Sequence, residues 1–438
     1  MDYVTTVLDS ERAKINMTHG HTALTISEEE ATRMNEEGKR RLLTSRKLSL
    51  VVDLDQTIIQ AHVDRIIGEW MSDPENPNYD ALKDIKTFQL VEDIPRAATY
   101  YVKMRPGLLA FLDSISKLYE CHIYTMGTRA YAQNIAKIVD PDRKIFGDRI
   151  LSRDESGSLT MKALKRLFPV DNKMVVIIDD RADVWNWSEH LVKVQPFEFF
   201  VGIGDINATF LPPKPVELGG KNAKATQDSE VDAQVAESTA KAAEAPDASV
   251  ADKVGNGLAI GESNGSTSDA DIGEQLVAIS GGEDQNLIQE QMKKHEEDIE
   301  NIILNSPLAK KQEAQDKQDE EDVKKELELN GNDESKVEHL KHRHAVLHDD
   351  DTELHYLETS LRDVHRAFYD EYDRVAAGTV GGRVAELRAG KSPKKRPLDD
   401  LSIVPDVSEI MHEMKHDVLK GCSIVFSGIF PQSVDPHT

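Results

Sequence analysis

The sequence predicts an α/β chain built around a parallel sheet, and three observations carry that expectation. Short apolar runs rich in β-branched residues, LSLVV at 48–52, ECHIYT at 120–125 and MVVII at 174–178, have the length of buried strands. Helical stretches lie between the runs, and strands that alternate with helices of this length imply crossover connections and parallel pairing. Each run also ends in polar residues of one chemical theme, as expected where the carboxyl ends of parallel strands share a crevice.

In chain order, residues 1–47 read as a polar lead-in. ISEEEATRMNEEGKRRLL predicts an exposed helix opened by Ser27, with acids near its start and bases near its end as the helix dipole favours. The globular unit spans 48–215. After its first strand comes a segment at about 61–100 holding Pro74, Pro77, Pro95 and several acids, which reads as an insertion lying on top of the sheet and partly helical. PGLLAFLDSISKLY then keeps Leu108, Leu109, Phe111, Leu112, Ile115 and Leu118 at helical spacing after the helix-starting Pro106. TRAYAQNIAKIV follows the second strand as another helix, with Ala130, Ile135, Ile138 and Val139 as its apolar positions.

Beyond the globular unit the composition changes. Residues 216–345 are Ala, Glu, Asp, Lys, Ser and Gly with almost no aromatics, too few apolar groups to offset the entropy of ordering, so they read as a disordered spacer with short helical tendency at 285–304. Helix returns over about 350–420. Leu354, Leu357, Leu361, Val364 and Phe368 step by three and four residues and form a stripe that needs a partner surface. KSPKKRP at 391–397 reads equally well as a nuclear import signal and as a solvated basic run. A short helix near 407–419 leads to GCSIVFSGIF, one strand and a turn whose domain has been cut off.

The totals limit the function classes. The 438 residues carry 79 acidic and 53 basic side chains, a formal net charge of −26, which argues against sequence-independent binding of nucleic acid by the surface as a whole. Most of that excess sits in one place: the net charge is −4 over 48–215 and −18 over 216–350. Cys121 and Cys422 are too few and too far apart for a disulfide framework or a thiolate metal site, and they fit a reducing compartment. No apolar run approaches the roughly 20 residues that span a bilayer, and MDYVTTVLDSERAK lacks the apolar core of a secretory signal. A soluble, intracellular protein is expected.

The chemistry is concentrated at the strand ends. Asp53 and Asp55 follow the first run, Thr125 with Gly127 and Thr128 the second, and Asp179-Asp180 the third. Four carboxylates in one crevice would raise each other's pKa values, and a divalent cation relieves the repulsion; hard oxygen ligands suit Mg²⁺. Residues two apart in extended chain share a side, so Asp53 and Asp55 can face one substrate. One can attack phosphorus while the other supplies and later accepts a proton. Lys162, in SLTMKALKRLF at the start of a helix-like segment, is placed to add positive charge around a transferring phosphoryl group. Taken singly, each motif has a plainer reading: DLDQT as a strand end with incidental acids, Asp179-Asp180 as a helix cap, Thr125 as a satisfied core hydroxyl. A calcium loop is excluded, because Ile58 stands where the sharp turn needs Gly.

In this order, DLDQT after an apolar strand, Thr125, Lys162 and Asp179-Asp180 resemble the four-motif signature of the haloacid dehalogenase superfamily, specifically its DxDxT phosphatases. The likeness is closer still to those, associated with TFIIF, that act on the carboxy-terminal domain of RNA polymerase II. It runs over about 48–211 through VVDLDQTI, KMRPGLLAFL, YTMGTRAYA, LSRDESGSLTMKALKRLFP, VVIIDDRADVW and PFEFFVGIGDIN. DVLKGCSIVFSGIFPQ is similar to the opening strand of a BRCT domain, which makes 419–438 the start of a truncated one.

The resemblance implies a Rossmann-like haloacid dehalogenase fold in which Asp53 is the phosphoryl-accepting nucleophile and Asp55 the acid and base. Thr57 would orient the loop. Thr125 and Lys162 would bind phosphate. Asp53, the backbone oxygen of Asp55 and Asp180 would hold Mg²⁺, with Asp179 beside them. Arg105, and behind it Arg153 and Asp140, are candidates for substrate contact. The implied substrate is phosphoserine followed by proline in the heptads of the phosphorylated polymerase domain, in the nucleus, with the insertion at the entrance and TFIIF as a partner. Neither direct nucleic-acid binding nor a membrane is implied. A phosphatase of small metabolites and a noncatalytic phosphoprotein-binding scaffold are the competing readings; a scaffold has no use for both Asp53 and Asp55.

Overall fold

The computed structural model describes residues 15–19, 22–26, 28–90, 98–156, 158, 160–208, 211, 285–329, 344–388 and 401–423. The basic run at 391–397, the spacer residues at 216–284 and 330–343 and most of the BRCT-like start, 424–438, lie outside the described residues.

The described part of the lead-in holds an antiparallel hairpin, β1 (Ile15–His19) and β2 (Thr22–Ile26), that its polar sequence does not suggest. Helix α1 (Glu28–Ser45) follows. It is no free surface helix: Ala31, Leu42 and Leu43 are buried, and Lys39 and Arg41 form ion pairs with Asp171 and Glu120. The charge pattern described its outer face, while three apolar residues settled where the other face rests.

β3 (Leu48–Val52) is buried at every position, which fits an apolar run covered on both sides. The insertion is partly helical, as expected, and also carries a small sheet that was not expected. It contains β4 (Ile59–His62), α2 (Ile66–Ser72), β5 (Lys86–Leu90) and β6 (Ala98–Met104), and its strands form an antiparallel sheet in the order β4-β6-β5. The sheet leaves no continuous apolar run in the sequence: β6 alternates between buried and half-buried residues over most of its length. Pro106 opens the turn into α3 (Leu108–Ile115), and β7 (Tyr119–Tyr124) returns to the main sheet. Helix α4 (Arg129–Val139) is capped by Thr128, whose side chain accepts from the Tyr131 N–H. Its buried positions are Tyr131, Ala132, Ile135 and Val139, one step round from the expected stripe.

β8 (Ile150–Leu151), the single turn α5 (Arg153–Ser156), β9 (Val175–Asp179) and β10 (Leu191–Lys193) complete the unit. The main sheet is five-stranded in the order β10-β9-β3-β7-β8, with every pair parallel. Lys162 does not start a helix: it lies in non-helical chain before a 3₁₀ turn at Leu164–Arg166, and its N–H bonds Val184 O at 2.9 Å.

Residues 285–329 correct the disordered reading of that part of the spacer. They form α6 (Gln285–Asn305) and α7 (Pro307–Leu329). Ile299 joins the main core and Leu308 packs with Ile67, Trp70, Phe199 and Phe200 of the insertion side. A composition averaged over 216–345 hides helices that are apolar along one narrow face. Helix α8 (Glu353–Arg388) then lays Leu354, Leu357, Leu361, Val364 and Phe368 into the same core as Leu108, Phe111 and Ile115 of α3. The Tyr119 hydroxyl donates to Leu361 O at 2.7 Å. Helix α9 (Val407–Val418), capped by Asp406, buries Val407 and Met411. No helix among the described residues is long and apolar enough to cross a membrane.

Candidate active site

Three neighbouring strands, β7, β3 and β9, end at one crevice. Where β3 ends, the Asp53 N–H still bonds Ile178 O of β9 at 3.1 Å; the chain then turns sharply, with Gln56 at φ 57° and the Ile58 and Ile59 N–H groups both on Leu54 O. Leu54 points into the core with no exposure, so Asp53 and Asp55 on either side of it face the crevice. Thr125, Met126, Lys162, Asp179, Asp180, Arg181 and Asp205 also line it.

Lys162 is the hub. Its Nζ stands 2.6 Å from Asp53 Oδ1 and 2.6 Å from Asp179 Oδ2. Its head lies within 6 Å of the Tyr124 and Trp185 rings, which meet edge to face. The Tyr124 hydroxyl accepts from the Ala163 N–H at 3.1 Å and fixes the backbone next to the lysine. Asp179 is held in turn by the Arg181 N–H at 2.7 Å and by Trp185 Nε1 at 2.8 Å. Burial acts to lower the Lys162 pKa, but the carboxylates of Asp179 and Asp53 outweigh it and push the ammonium upward.

Asp53, Asp179 and Asp180 each offer a carboxylate oxygen, and these atoms lie within 4.8 Å of one another. Burial, then the charge of Asp179, pushes the Asp53 carboxyl well above its ordinary range, against the pull of Lys162. Three carboxylates facing one ammonium leave the cluster two charges negative when all are ionised. An all-oxygen donor set with that imbalance fits a hard divalent cation.

Asp55 is held apart from this cluster. Tyr131 of α4 donates its hydroxyl to Oδ1 at 2.5 Å, and Asn207 Nδ2 donates to Oδ2 at 2.9 Å. Its carboxylate is therefore not among the clustered oxygens; the ligand atom expected from this residue is its backbone oxygen. Burial and then Asp205 raise its pKa well above the ordinary range, opposed by Tyr131 and Asn207. Gly127 makes this clamp sterically feasible: a Cβ there would lie 2.5 Å from Tyr131 Cδ1 and 3.3 Å from Asn207 Nδ2.

The other candidates divide. Thr125 lines the crevice, and its hydroxyl accepts from the Gly127 N–H at 3.0 Å. Thr57 sits behind Asp53, donating to its Oδ2 at 3.4 Å and accepting the Asp180 N–H at 3.1 Å. Arg105 is not in the crevice: its buried guanidinium pairs with Asp351 and donates to Thr57 O, so it supports the loop from behind. Asp140 accepts the N–H groups of Lys144, Ile145 and Phe146 at 2.8–2.9 Å and ties down its own loop. The Arg153 N–H donates to Gly127 O at 3.0 Å, and its side chain lies 4.0 Å from Asp154 rather than among the lining residues. Tyr131, Asn207 and Trp185 were missed as site residues. A local signal existed for Tyr131 alone, since a Thr128 cap puts it on the first turn of a helix that begins at the crevice.

Residues 48–211 match the NLI interacting factor-like phosphatase family. A solved structure of the fission yeast RNA polymerase II CTD phosphatase Fcp1, bound to beryllium fluoride, superposes with a TM-score of 0.59 at 38% identity, covering 92% of this chain and 80% of that one. The chain belongs to this phosphatase family. Its curated relatives include an RNA polymerase II C-terminal domain phosphatase of Schizosaccharomyces pombe, 42% identical over 98% of this chain and 53% of that protein. The protein of the same name from Saccharomyces cerevisiae is 37% identical over 95% of this chain and 51% of its own length. The chain thus spans about half the length of these curated members of the phosphatase family.

Proposed function

We propose that this chain is an Mg²⁺-dependent protein serine/threonine phosphatase that clears phosphate from the heptad repeats of the RNA polymerase II carboxy-terminal domain through an aspartyl-phosphate on Asp53. The observation that carries the reading is the buried Asp53–Lys162–Asp179 array with a second, separately held carboxylate two residues from the first. The names of the relatives, RNA polymerase II CTD phosphatases, support the substrate.

In the first step an Asp53 carboxylate oxygen attacks phosphorus and the bond to the seryl oxygen breaks. Asp55 gives its proton to that departing oxygen. Burial and the nearby Asp205 push its carboxyl toward the protonated form that a general acid needs. In the second step Asp55 takes a proton from a water that attacks phosphorus; the bond to Asp53 breaks and phosphate leaves. Lys162 keeps a positive charge beside the phosphoryl oxygens throughout, and Thr125, also in the crevice lining, offers a hydroxyl. Asp53 and Asp180, with the backbone oxygen of Asp55, would hold Mg²⁺, which when bound neutralises charge on the phosphoryl group. The proposal extends to a nuclear location and to TFIIF as the partner that the family resemblance implies.

The test is Mg²⁺-dependent phosphate release from a phosphoserine heptad peptide and from sugar phosphates, with Asp53→Ala and Asp55→Ala beside the wild-type chain. Peptide turnover lost in both variants is the expected result. Turnover of sugar phosphates alone, or peptide binding without turnover, would overturn it.

A further inference from the structure

The spacing of Asp349 and Asp351 repeats that of Lys103 and Arg105. The two cations lie two residues apart at the end of β6, on one side of the strand, and each is about 1% exposed. Lys103 Nζ donates to Asp349 Oδ2 at 2.9 Å and to Asp84 Oδ1 at 2.6 Å. Arg105 Nε and Nη2 donate to the two oxygens of Asp351, both at 2.8 Å. Upstream, the Val346 and Leu347 N–H groups donate to Asn78 Oδ1 at 2.9 and 3.0 Å. A short acidic segment is thereby stapled onto the insertion in matched register.

What lies behind the two staples differs. The remaining bond of Lys103 goes to Ala81 O, within the insertion. Arg105 instead reaches the catalytic loop: Nη1 donates to Thr57 O at 2.9 Å, and its backbone N–H donates to Ile58 O at 3.0 Å. Thr57 is the residue that donates to Asp53 and accepts from the Asp180 N–H. A chain of hydrogen bonds therefore runs from Asp351 through Arg105 and Thr57 to both Asp53 and Asp180.

We propose that Asp351 is a positioning residue for the nucleophile loop, acting through Arg105; the proposal rests on the phosphatase reading above for its effect on turnover. A guanidinium is a rigid fork, and a bidentate carboxylate fixes both its plane and its rotation. With Asp351 in place, Nη1 is aimed at Thr57 O and the turn that presents Asp53 is held from behind. Without it, a buried cation loses its counter-charge and its orientation, and the turn loses its fixed donor. A shift of the nucleophile by about 1 Å costs on the order of 10²-fold in rate.

Asp351→Asn and Asp349→Asn in the full chain separate positioning from mere stability, because both weaken a buried ion pair and only one connects to Thr57. Asp351→Asn is expected to lower kcat on the phosphoserine heptad peptide by about tenfold or more with KM within about twofold. It should also speed hydrogen exchange at the Asp180 amide and in the turn at 53–59. Asp349→Asn is expected to lower the thermal midpoint while leaving kcat and that exchange as in wild type. Asp351→Glu keeps the charge at a longer reach and should fall between wild type and Asp351→Asn; it carries the comparison if the Asn variant does not fold. Wild-type kcat and exchange in a folded Asp351 variant, or equal acceleration of the same amides in Asp349→Asn, would overturn the proposal. A wild-type chain with no turnover counts against the phosphatase reading, and the exchange comparison still judges the connection.

Discussion

Lys162 Nζ stands 2.6 Å from Asp53 Oδ1, inside a site where both side chains are less than a tenth exposed. The lysine comes from non-helical chain ahead of a 3₁₀ turn and the aspartate from the end of the central strand, 109 residues earlier. Lys162→Met removes the ammonium and leaves the acids of the cluster facing one another. The expected outcome is a fall in kcat of about 10²–10³-fold on the phosphoserine peptide. Lys162→Arg should not restore it, since a planar fork cannot put one nitrogen between Asp53 and Asp179.

Tyr131→Phe removes one of the two donors that hold Asp55 while leaving the ring in place. A hydrogen bond contributes about 0.5–1.5 kcal/mol, and without it Asn207 alone orients the carboxyl, so kcat should drop by about two- to tenfold with KM little changed. Steady-state kinetics beside a circular dichroism melt check this.

Gly127→Ala reaches the same clamp by steric means. The added methyl would press on the Tyr131 ring and approach Asn207, and neither can retreat without letting go of Asp55. Overpacking of this kind costs about 1–3 kcal/mol. A loss of activity like that of Tyr131→Phe, together with a lower urea midpoint, is the expected result.

His62 in β4 supplies a pH-dependent stability term. Its Nδ1 accepts the Asp64 N–H at 3.0 Å and the ring lies against Phe200, and burial lowers its pKa from 6.5 to about 4. The folded state holds the neutral ring, whereas the unfolded chain takes up a proton as the pH falls through 6.5. Stability from this site is therefore fully present above pH 6.5 and lost as the pH falls towards 4. Between pH 7 and 5 the loss is about 2 kcal/mol. Urea midpoints at pH 7, 6 and 5 should fall in wild type and fall less in His62→Asn.

Phe368→Ala tests the docking of α8. Phe368 is fully buried in the core shared with α3, and truncating it leaves a cavity costing about 3–5 kcal/mol. Chemical denaturation should show that loss. The folded fraction should keep its turnover per site, because the residue touches no group in the crevice.

Much of the lining of the crevice was legible in the primary structure. Buried parallel strands need continuous β-branched runs, and such strands present their polar ends at one edge, so Asp53, Asp55, Thr125 and Asp179-Asp180 announced a common crevice before any geometry was known. The stripe from Leu354 to Phe368 likewise showed that a partner surface existed. Periodicity states that a face is covered; it does not say by what. The covering of α1, the antiparallel sheet of the insertion and the helices at 285–329 emerged only on folding, because their apolar positions are sparse or alternate and resemble exposed chain. The supports of the site were hidden for the same reason. Tyr131 is 76 residues from Asp55, Asn207 is 152 away, and Asp351 is 246 from Arg105. A hydrogen bond between such residues depends on where the sheet, the insertion and α8 come to rest against one another, and local sequence carries no term for that distance.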